Sequence, residues 1–291
     1  MMSPTTGQAR NLVHRTAGIA FRVLRSVAVA WVLVILLVAI FQRSITYFPQ
    51  RATAAEVTAA AARHGLEPWR ARNGEIIGWR PPRTANRAAN RMLVFHGNAG
   101  FALHRTYYAD GFGALDQGAK WEVHLFEYPG YGARAGQPGE KSFIEAAAAA
   151  LAEMQAEDAR PIFLLGESIG SGTACALAGQ HAEAIAGICL VTPFARLAEV
   201  AAHHYPFIPV RLILRDRWDN VAGLSTYRGR LAMWIAGRDE IVTPEQGHRL
   251  FESWGGSKQS WVNPTSDHNT MDYLPSNPWW RETSDFLLGD R

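Results

Sequence analysis

Apolar residues along this chain fall into two patterns. From 27 to 41 the sequence reads VAVAWVLVILLVAIF, apolar on every face a helix could present, which is not the one-sided stripe of a core helix. Beyond it, short apolar runs alternate with amphipathic stretches, the mark of a parallel sheet wrapped by helices. Runs at 92–95, 123–126, 162–165, 188–191 and 231–235 read as buried strands. Residues 76–80, after the Asn73-Gly74 turn signal, read as one arm of an opening hairpin, and 259–262 as the last strand. A helix is predicted to begin near Ser142, with Glu145 three residues on completing a capping box. Further helices are predicted over 170–179, 244–254 and 278–288. The stretch 192–230 is too long for an ordinary crossover and is predicted to form a cap over the site.

The 15-residue apolar run is shorter than the roughly 20 residues that cross a bilayer. A cleavable signal peptide would fit that length, but no small-x-small site follows; the next residues are Gln42, Arg43, Ser44, Ile45, Thr46, Tyr47 and Phe48. Arginines can snorkel, and Tyr47 and Phe48 can sit at the far interface, so a membrane anchor is the favoured reading. The predicted organisation is a basic cytoplasmic tail over 1–25, a transmembrane anchor over 26–42 and a catalytic domain over 43–291, with the cap at about 192–230. Four arginines precede the run and two follow closely, which favours a cytoplasmic N-terminus with the large domain on the other side.

The sequence pI of about 9.0 invites a nucleic-acid reading until the charge is located. Six arginines and no acidic residue lie before Glu56; removing them from 29 basic residues leaves 23, against 26 acidic ones. The basic character therefore belongs to the N-terminal segment, and a nucleic-acid footprint on the domain is not supported. With 48% apolar and 19% charged residues, the chain has the composition of a globular protein large enough for a substantial core. Cys175 and Cys189 are too few for a disulfide scaffold and read as small buried residues, a bond between them staying open. No His/Cys spacing suggests a metal.

The candidate chemistry begins at Gly166-Glu167-Ser168-Ile169-Gly170, which follows the apolar run PIFLL and opens a helical stretch. A serine on a sharp strand-to-helix turn needs small neighbours, and Gly166 and Gly170 supply them. A nucleophile also needs backbone N–H groups aimed at the developing oxyanion. One is predicted from Ile169, immediately after the serine, and the other from Asn98 in His96-Gly97-Asn98-Ala99-Gly100, the loop after the strand at 92–95. His96, Gly97 and Gly100 read as scaffold of that loop, not as the base. Downstream, 231–235 ends in Gly237-Arg238-Asp239-Glu240, placing a carboxylate at the edge of the sheet where ligands collect. Only one of Asp239 and Glu240 can face the site, and Asp239 lies nearer the strand end. His268, after the last strand, is the candidate base, with His203 and His204 of the cap as competitors. The order serine, acid, histidine is that of the α/β-hydrolase fold.

In combination the segments TYFPQR, FHGNAG, EYPGYG, GESIGSG, PFIPVRLILRDRWDN and IAGRDEIVTP resemble the membrane-anchored bud-emergence-type α/β hydrolases, often grouped with serine aminopeptidase-like hydrolases. The resemblance runs from about Tyr47 to the C-terminus. It implies an α/β-hydrolase fold with a mostly parallel sheet, the triad Ser168, Asp239 and His268, an oxyanion hole shaped by Asn98 and Ile169, and the loop 127–132 as a structural rim. It also implies hydrolysis of an ester, a thioester or a lipid, with a small-molecule substrate, a membrane attachment and no cofactor. Two other readings stand beside it: a serine aminopeptidase-like peptidase and a catalytically silent membrane-anchored scaffold. The cap carries Glu199, Asp216 and Asp219 against Arg196, Arg211, Arg215, Arg217, Arg228 and Arg230, which disfavours capture of a substrate amine.

Overall fold

A computed structural model describes residues 6–83 and 88–289, with the backbone alone for 6–13 and 15–17. Part of the basic tail expected over 1–25, including the side chains of Arg10 and Arg15, lies outside the described residues.

In chain order the elements are α1 (Thr6–Thr46), β1 (Phe48–Pro49), α2 (Ala54–Arg63), β2 (Glu67–Arg70), β3 (Ile76–Arg80), β4 (Asn90–Phe95), β5 (Ala99–Gly100) and α3 (Thr106–Gly113). They continue through β6 (Trp121–Phe126), α4 (Glu140–Glu157), β7 (Ile162–Glu167), α5 (Ile169–Gln180), β8 (Gly187–Val191), α6 (Leu197–His204), α7 (Val210–Ile213) and α8 (Asn220–Gly223). The C-terminal part is β9 (Arg230–Ala236), α9 (Pro244–Ser253), β10 (Lys258–Asn263) and α10 (Trp279–Leu288). Eight strands form one sheet in the order β10-β9-β8-β7-β4-β6-β3-β2. The hairpin β2–β3 and the pair β3–β6 are antiparallel, and the other pairs are parallel. Every apolar run expected as a strand is one.

The central strands read as continuous apolar runs because both faces of the sheet are covered. Alternate residues go to opposite layers. Leu93, Phe95, Leu164, Ile188, Leu190 and Met233 join one core with residues of α4 and α5; Met92, Val94, Leu165, Val191 and Trp234 join the other with residues of α3 and α10. At about 1.5–3 kcal/mol for each large apolar side chain buried, these two layers are the main force holding the sheet. Cys175 and Cys189 are buried, carry free thiols and lie in different layers, so they do not pair.

The capping box expected at Ser142 is not formed. α4 starts two residues earlier with Gly139 at its cap, and the Ser142 hydroxyl turns back to donate to the Gln137 and Gly139 carbonyls at 2.8 and 3.0 Å. Ser142 therefore lies inside the first turn and not at the cap, and its side chain reaches back to carbonyls before the helix. The reciprocal box is at Thr53 instead, where Oγ1 accepts from Glu56 N at 3.2 Å and Glu56 Oε2 accepts from Thr53 N at 2.7 Å.

Residues 192–230 form α6, α7 and α8 with their connections. The segment divides in two. Leu197, Val200, Ala201, Tyr205 and Leu214 line a cavity above the sheet edge, whereas Trp218 and Asn220 are buried in the body, Asn220 donating to Ser171 Oγ at 2.9 Å.

α1 runs on past the apolar stretch. Its part from Gly18 to Thr46, 29 residues, is long and apolar enough to cross a membrane. Its last turns are docked: Gln42 is buried and donates to Ile213 O at 3.1 Å, Arg215 N donates to Gln42 Oε1 at 2.7 Å, and Arg43 pairs with Asp216 at 3.1 Å.

Candidate active site

The elbow between β7 and α5 holds Ser168 at φ 53°, ψ −117°, a strained conformation for a residue with a side chain. Crowding accounts for its neighbours. A Cβ on Gly166 would lie 2.5 Å from Gly170 O, and one on Gly170 would lie 2.2 Å from Phe95 O, so both positions admit only glycine without a backbone shift. The Ser168 N–H donates to Val191 O at 2.9 Å, which ties the strained residue to the end of β8.

Three side chains from distant points of the chain meet here. His268 Nε2 lies 2.9 Å from Ser168 Oγ, and His268 Nδ1 lies 2.6 Å from Asp239 Oδ2. Asp239 is buried and its other oxygen accepts the N–H groups of Ile241 and Val242 at 2.9 and 2.7 Å. Those bonds fix the carboxylate so that one oxygen faces the imidazole. Glu240, the alternative acid, is exposed on the outside of the turn. The His268 loop is braced by Ser266 Oγ donating to Thr270 O at 3.0 Å and by Asp267 N donating to Thr270 Oγ1 at 2.9 Å. His203 and His204 lie on α6, and His204 Nε2 is 2.8 Å from Ile241 O.

Ile169 and Asn98 both line the cavity beside Ser168. Ile169 begins α5, where the first N–H groups have no intrahelical acceptor. The Asn98 carboxamide is engaged behind the loop: it donates to Thr46 O and accepts from Phe48 N at 3.2 Å and from the Tyr131 hydroxyl at 3.1 Å. His96 is buried under the loop, Nδ1 2.7 Å from Gly97 O, with its ring against Tyr128 and Tyr131. The loop 127–132 backs this scaffold: the Tyr128 hydroxyl donates to His96 O at 3.2 Å, and the Glu127 carboxylate accepts Ala102 N–H. Gly100 has φ +92°, and a Cβ there would sit 2.5 Å from His104 Nδ1. The cavity above these groups measures about 400 Å³.

Residues 90–224 match the family model for the alpha/beta hydrolase fold. An uncharacterized protein of Mycobacterium tuberculosis is 34% identical over 200 residues, covering 68% of this chain and 69% of that protein. The chain belongs to the α/β-hydrolase family. This hydrolase is also 27% identical over 204 residues to protein bem46 of Schizosaccharomyces pombe, covering 67% of this chain and 66% of the relative. An esterase from Pyrococcus furiosus superposes with a TM-score of 0.62 at 15% identity, covering 84% of the hydrolase and 98% of the esterase, a likeness of fold.

Beside the serine the hydrolase carries a network that motif spacing did not reveal. Glu167 lies largely enclosed, its carboxylate receiving Arg105 Nε and Nη2 at 3.1 and 3.0 Å, the Tyr107 hydroxyl at 2.9 Å and the Tyr108 hydroxyl at 3.0 Å. Burial alone would raise this carboxyl; the Arg105 guanidinium and the two hydroxyls outweigh it and hold the group below the usual carboxylate range. The tyrosines shift the other way, pushed up by burial and then by the Glu167 charge. Tyr273 stacks on Tyr107 with ring centroids 4.1 Å apart, joining the network to the segment after the histidine loop. The signal available in the sequence was Glu167 itself, a carboxylate directly before the nucleophile. Its partners lie about sixty residues away and only the fold reveals them. A Cβ on Gly97 would fall 2.5 Å from Glu167 Oε1, so the glycine of the HGNAG loop makes room for this carboxylate.

Proposed function

We propose that this hydrolase is a membrane-anchored serine esterase that cleaves a carboxylic ester or thioester of an acyl or lipid-like substrate through an acyl-enzyme. The observation that carries the reading is the chain of two hydrogen-bond distances, 2.9 Å from Ser168 Oγ to His268 Nε2 and 2.6 Å from His268 Nδ1 to Asp239 Oδ2. In this mechanism Ser168 Oγ attacks the carbonyl carbon while its proton passes to His268 Nε2. Asp239 holds the ring through Nδ1–H and stabilises the imidazolium without taking the proton. The oxyanion is met by the N–H groups of Asn98 and Ile169, the latter at the positive end of α5. His268 returns the proton to the departing alcohol or thiol, and a water activated by the same imidazole then releases the acid and restores Ser168. His96, Gly97, Gly100, Gly166 and Gly170 shape the backbone on which this depends.

Ester substrates are favoured over amine capture by the charge around the serine. Among the described residues lining the cavity, Glu167 is the one carboxylate, and Arg105 already neutralises it. The apolar lining from Ile45, Phe48, Leu197, Val200, Tyr205 and Leu214 suits an acyl chain. α1 supports the anchor, and the arginine asymmetry about it supports a cytoplasmic N-terminus with the hydrolase domain on the opposite side. The decisive experiment is labelling of full-length protein with a fluorophosphonate, together with turnover of p-nitrophenyl esters and aminoacyl amides. Labelling lost in Ser168→Ala and turnover of the esters is expected; a folded protein that turns over only the amides would sink the reading.

A further inference from the structure

The anchor and the cap form one apolar surface. Residues 205–214 read YPFIPVRLIL, with Arg211 the one charged residue; Val210 is buried, but other large apolar side chains of the segment face outward. Phe207 is 83% exposed and Leu212 82%, an unusual outlay of large apolar side chains for a surface in water. The segment lies along α1: the Trp31 indole donates to Phe207 O at 3.0 Å near one end, and Gln42 donates to Ile213 O at 3.1 Å near the other. Eleven residues of helix separate those two contacts, about 17 Å of rise. Trp31 stands well inside the apolar run 27–41, so the cap reaches along the part of α1 that a bilayer would hold. Between the two contacts Ile35, Val38 and Ala39 are half-buried, whereas Val32, Leu33, Leu36 and Leu37 stay exposed. The polar groups at the deep end are matched to each other, as hydrocarbon requires. At the shallow end the character changes: Arg43 pairs with Asp216, and Arg215 and Arg217 are exposed, a cationic collar suited to lipid headgroups.

We propose that residues 205–214 are a finger immersed in the bilayer beside α1, and that the cavity takes its ester from the membrane, the acyl chain passing between α1 and the cap without crossing water. Ile45 at the end of α1, Phe48 in β1 just after it, and Tyr205 and Leu214 at the base of the finger line the cavity together with Ser168, which places the passage at the junction of anchor and cap. The substrate class is a long-chain acyl ester resident in the bilayer. This rests on the serine-esterase reading for its chemistry, but the depth of the finger does not.

The test uses full-length protein in phosphatidylcholine vesicles, with a bimane label on Phe207→Cys or Leu212→Cys, and on Glu183→Cys as a control exposed at the opposite edge of the sheet. The native thiols are buried. With spin-labelled phosphatidylcholine in the vesicle, emission at 207 and 212 should fall at least twofold and that at 183 should not. Unquenched labels at 207 and 212, the result for a finger that docks another protein in water, overturn the proposal whatever the enzyme hydrolyses. In the second arm, Phe207→Asp combined with Leu212→Asp should slow hydrolysis of a long-chain ester in the vesicle at least tenfold, with p-nitrophenyl acetate turnover within twofold of the parent. Equal loss on both substrates, or on neither, overturns the lateral route. Quenched labels in a parent protein that hydrolyses no ester would overturn the esterase reading alone.

Discussion

Asn98 is bound by the membrane end of the chain: its carboxamide nitrogen donates to the Thr46 carbonyl at the last turn of α1, and its oxygen accepts from the Phe48 N–H at 3.2 Å. The loop proposed to hold the oxyanion is thus fastened to the anchor by a side chain, which leaves the Asn98 backbone N–H for chemistry. On the proposed mechanism, positioning and catalysis are separate duties of one residue.

Replacing that carboxamide tests the separation. Asn98→Ala keeps the backbone N–H but removes bonds to Thr46, Phe48 and Tyr131, each worth about 1 kcal/mol. On the proposed mechanism kcat for a p-nitrophenyl ester falls by about tenfold as the donor loses its fixed aim, with KM nearly unchanged. Steady-state kinetics separates this from a purely structural defect, which would lower the amount of active enzyme and leave fluorophosphonate-titrated kcat intact.

The two carboxylates of the β9 turn should part sharply. Asp239 is buried and held by two N–H groups, whereas Glu240 faces solvent. Asp239→Asn is expected to lower kcat by about 10³–10⁴, by favouring the wrong imidazole tautomer, and Glu240→Gln to change it less than twofold. Comparable losses in both would remove Asp239 from its proposed role.

Much of this arrangement was legible in sequence because it is local. The order strand, GESIG, helix marks an elbow, and the Asp239 turn and the His268 loop each follow a strand that the sequence predicts; the structure brings their side chains within hydrogen-bond distance. What pairs across the fold was not legible. Glu167 takes its partners from Arg105, Tyr107 and Tyr108, and no spacing rule links residues that far apart. Gln42 ends the predicted anchor and Arg43 opens the predicted domain, and no local pattern shows that both are engaged by residues 213–216, Gln42 by Ile213 and Arg215 and Arg43 by Asp216. Ser142 misled because a serine three residues before a glutamate signals a cap only where the helix starts just after it, and α4 starts two residues before it.

The Glu167 network makes a prediction in pH. Its carboxyl is held below the usual range in the folded protein, so it contributes stability that is fully present above the unfolded value, about 4.3, and is lost as pH falls through the lower folded value. Glu167→Gln leaves Arg105 enclosed without its counter-charge, at a cost of about 3 kcal/mol at neutral pH. Thermal midpoints of parent and variant should differ by several degrees at pH 7 and converge below pH 4. A gap that is constant with pH would show that the charge on Glu167 does not carry the effect.

The glycines around Ser168 should be far less tolerant than their exposed counterparts. A methyl group on Gly170 meets the Phe95 carbonyl at 2.2 Å and one on Gly166 meets Gly170 O at 2.5 Å, whereas one on Gly255 meets nothing within 4 Å. Both contacts are with backbone, in the central strand β4 for Gly170 and in α5 for Gly166, so no side chain can rotate away, and relief requires β4 or α5 to move. The cost is that of overpacking without an escape, at least about 3 kcal/mol. Such a shift would also displace Ser168 from His268, since α5 and the elbow are one continuous backbone. Gly170→Ala should therefore lower the thermal midpoint by several degrees and abolish fluorophosphonate labelling even at temperatures where the protein is folded, with Gly255→Ala matching the parent in both. Parent-like labelling of Gly170→Ala would mean that the close packing of α5 on β4 is not what holds the serine in place.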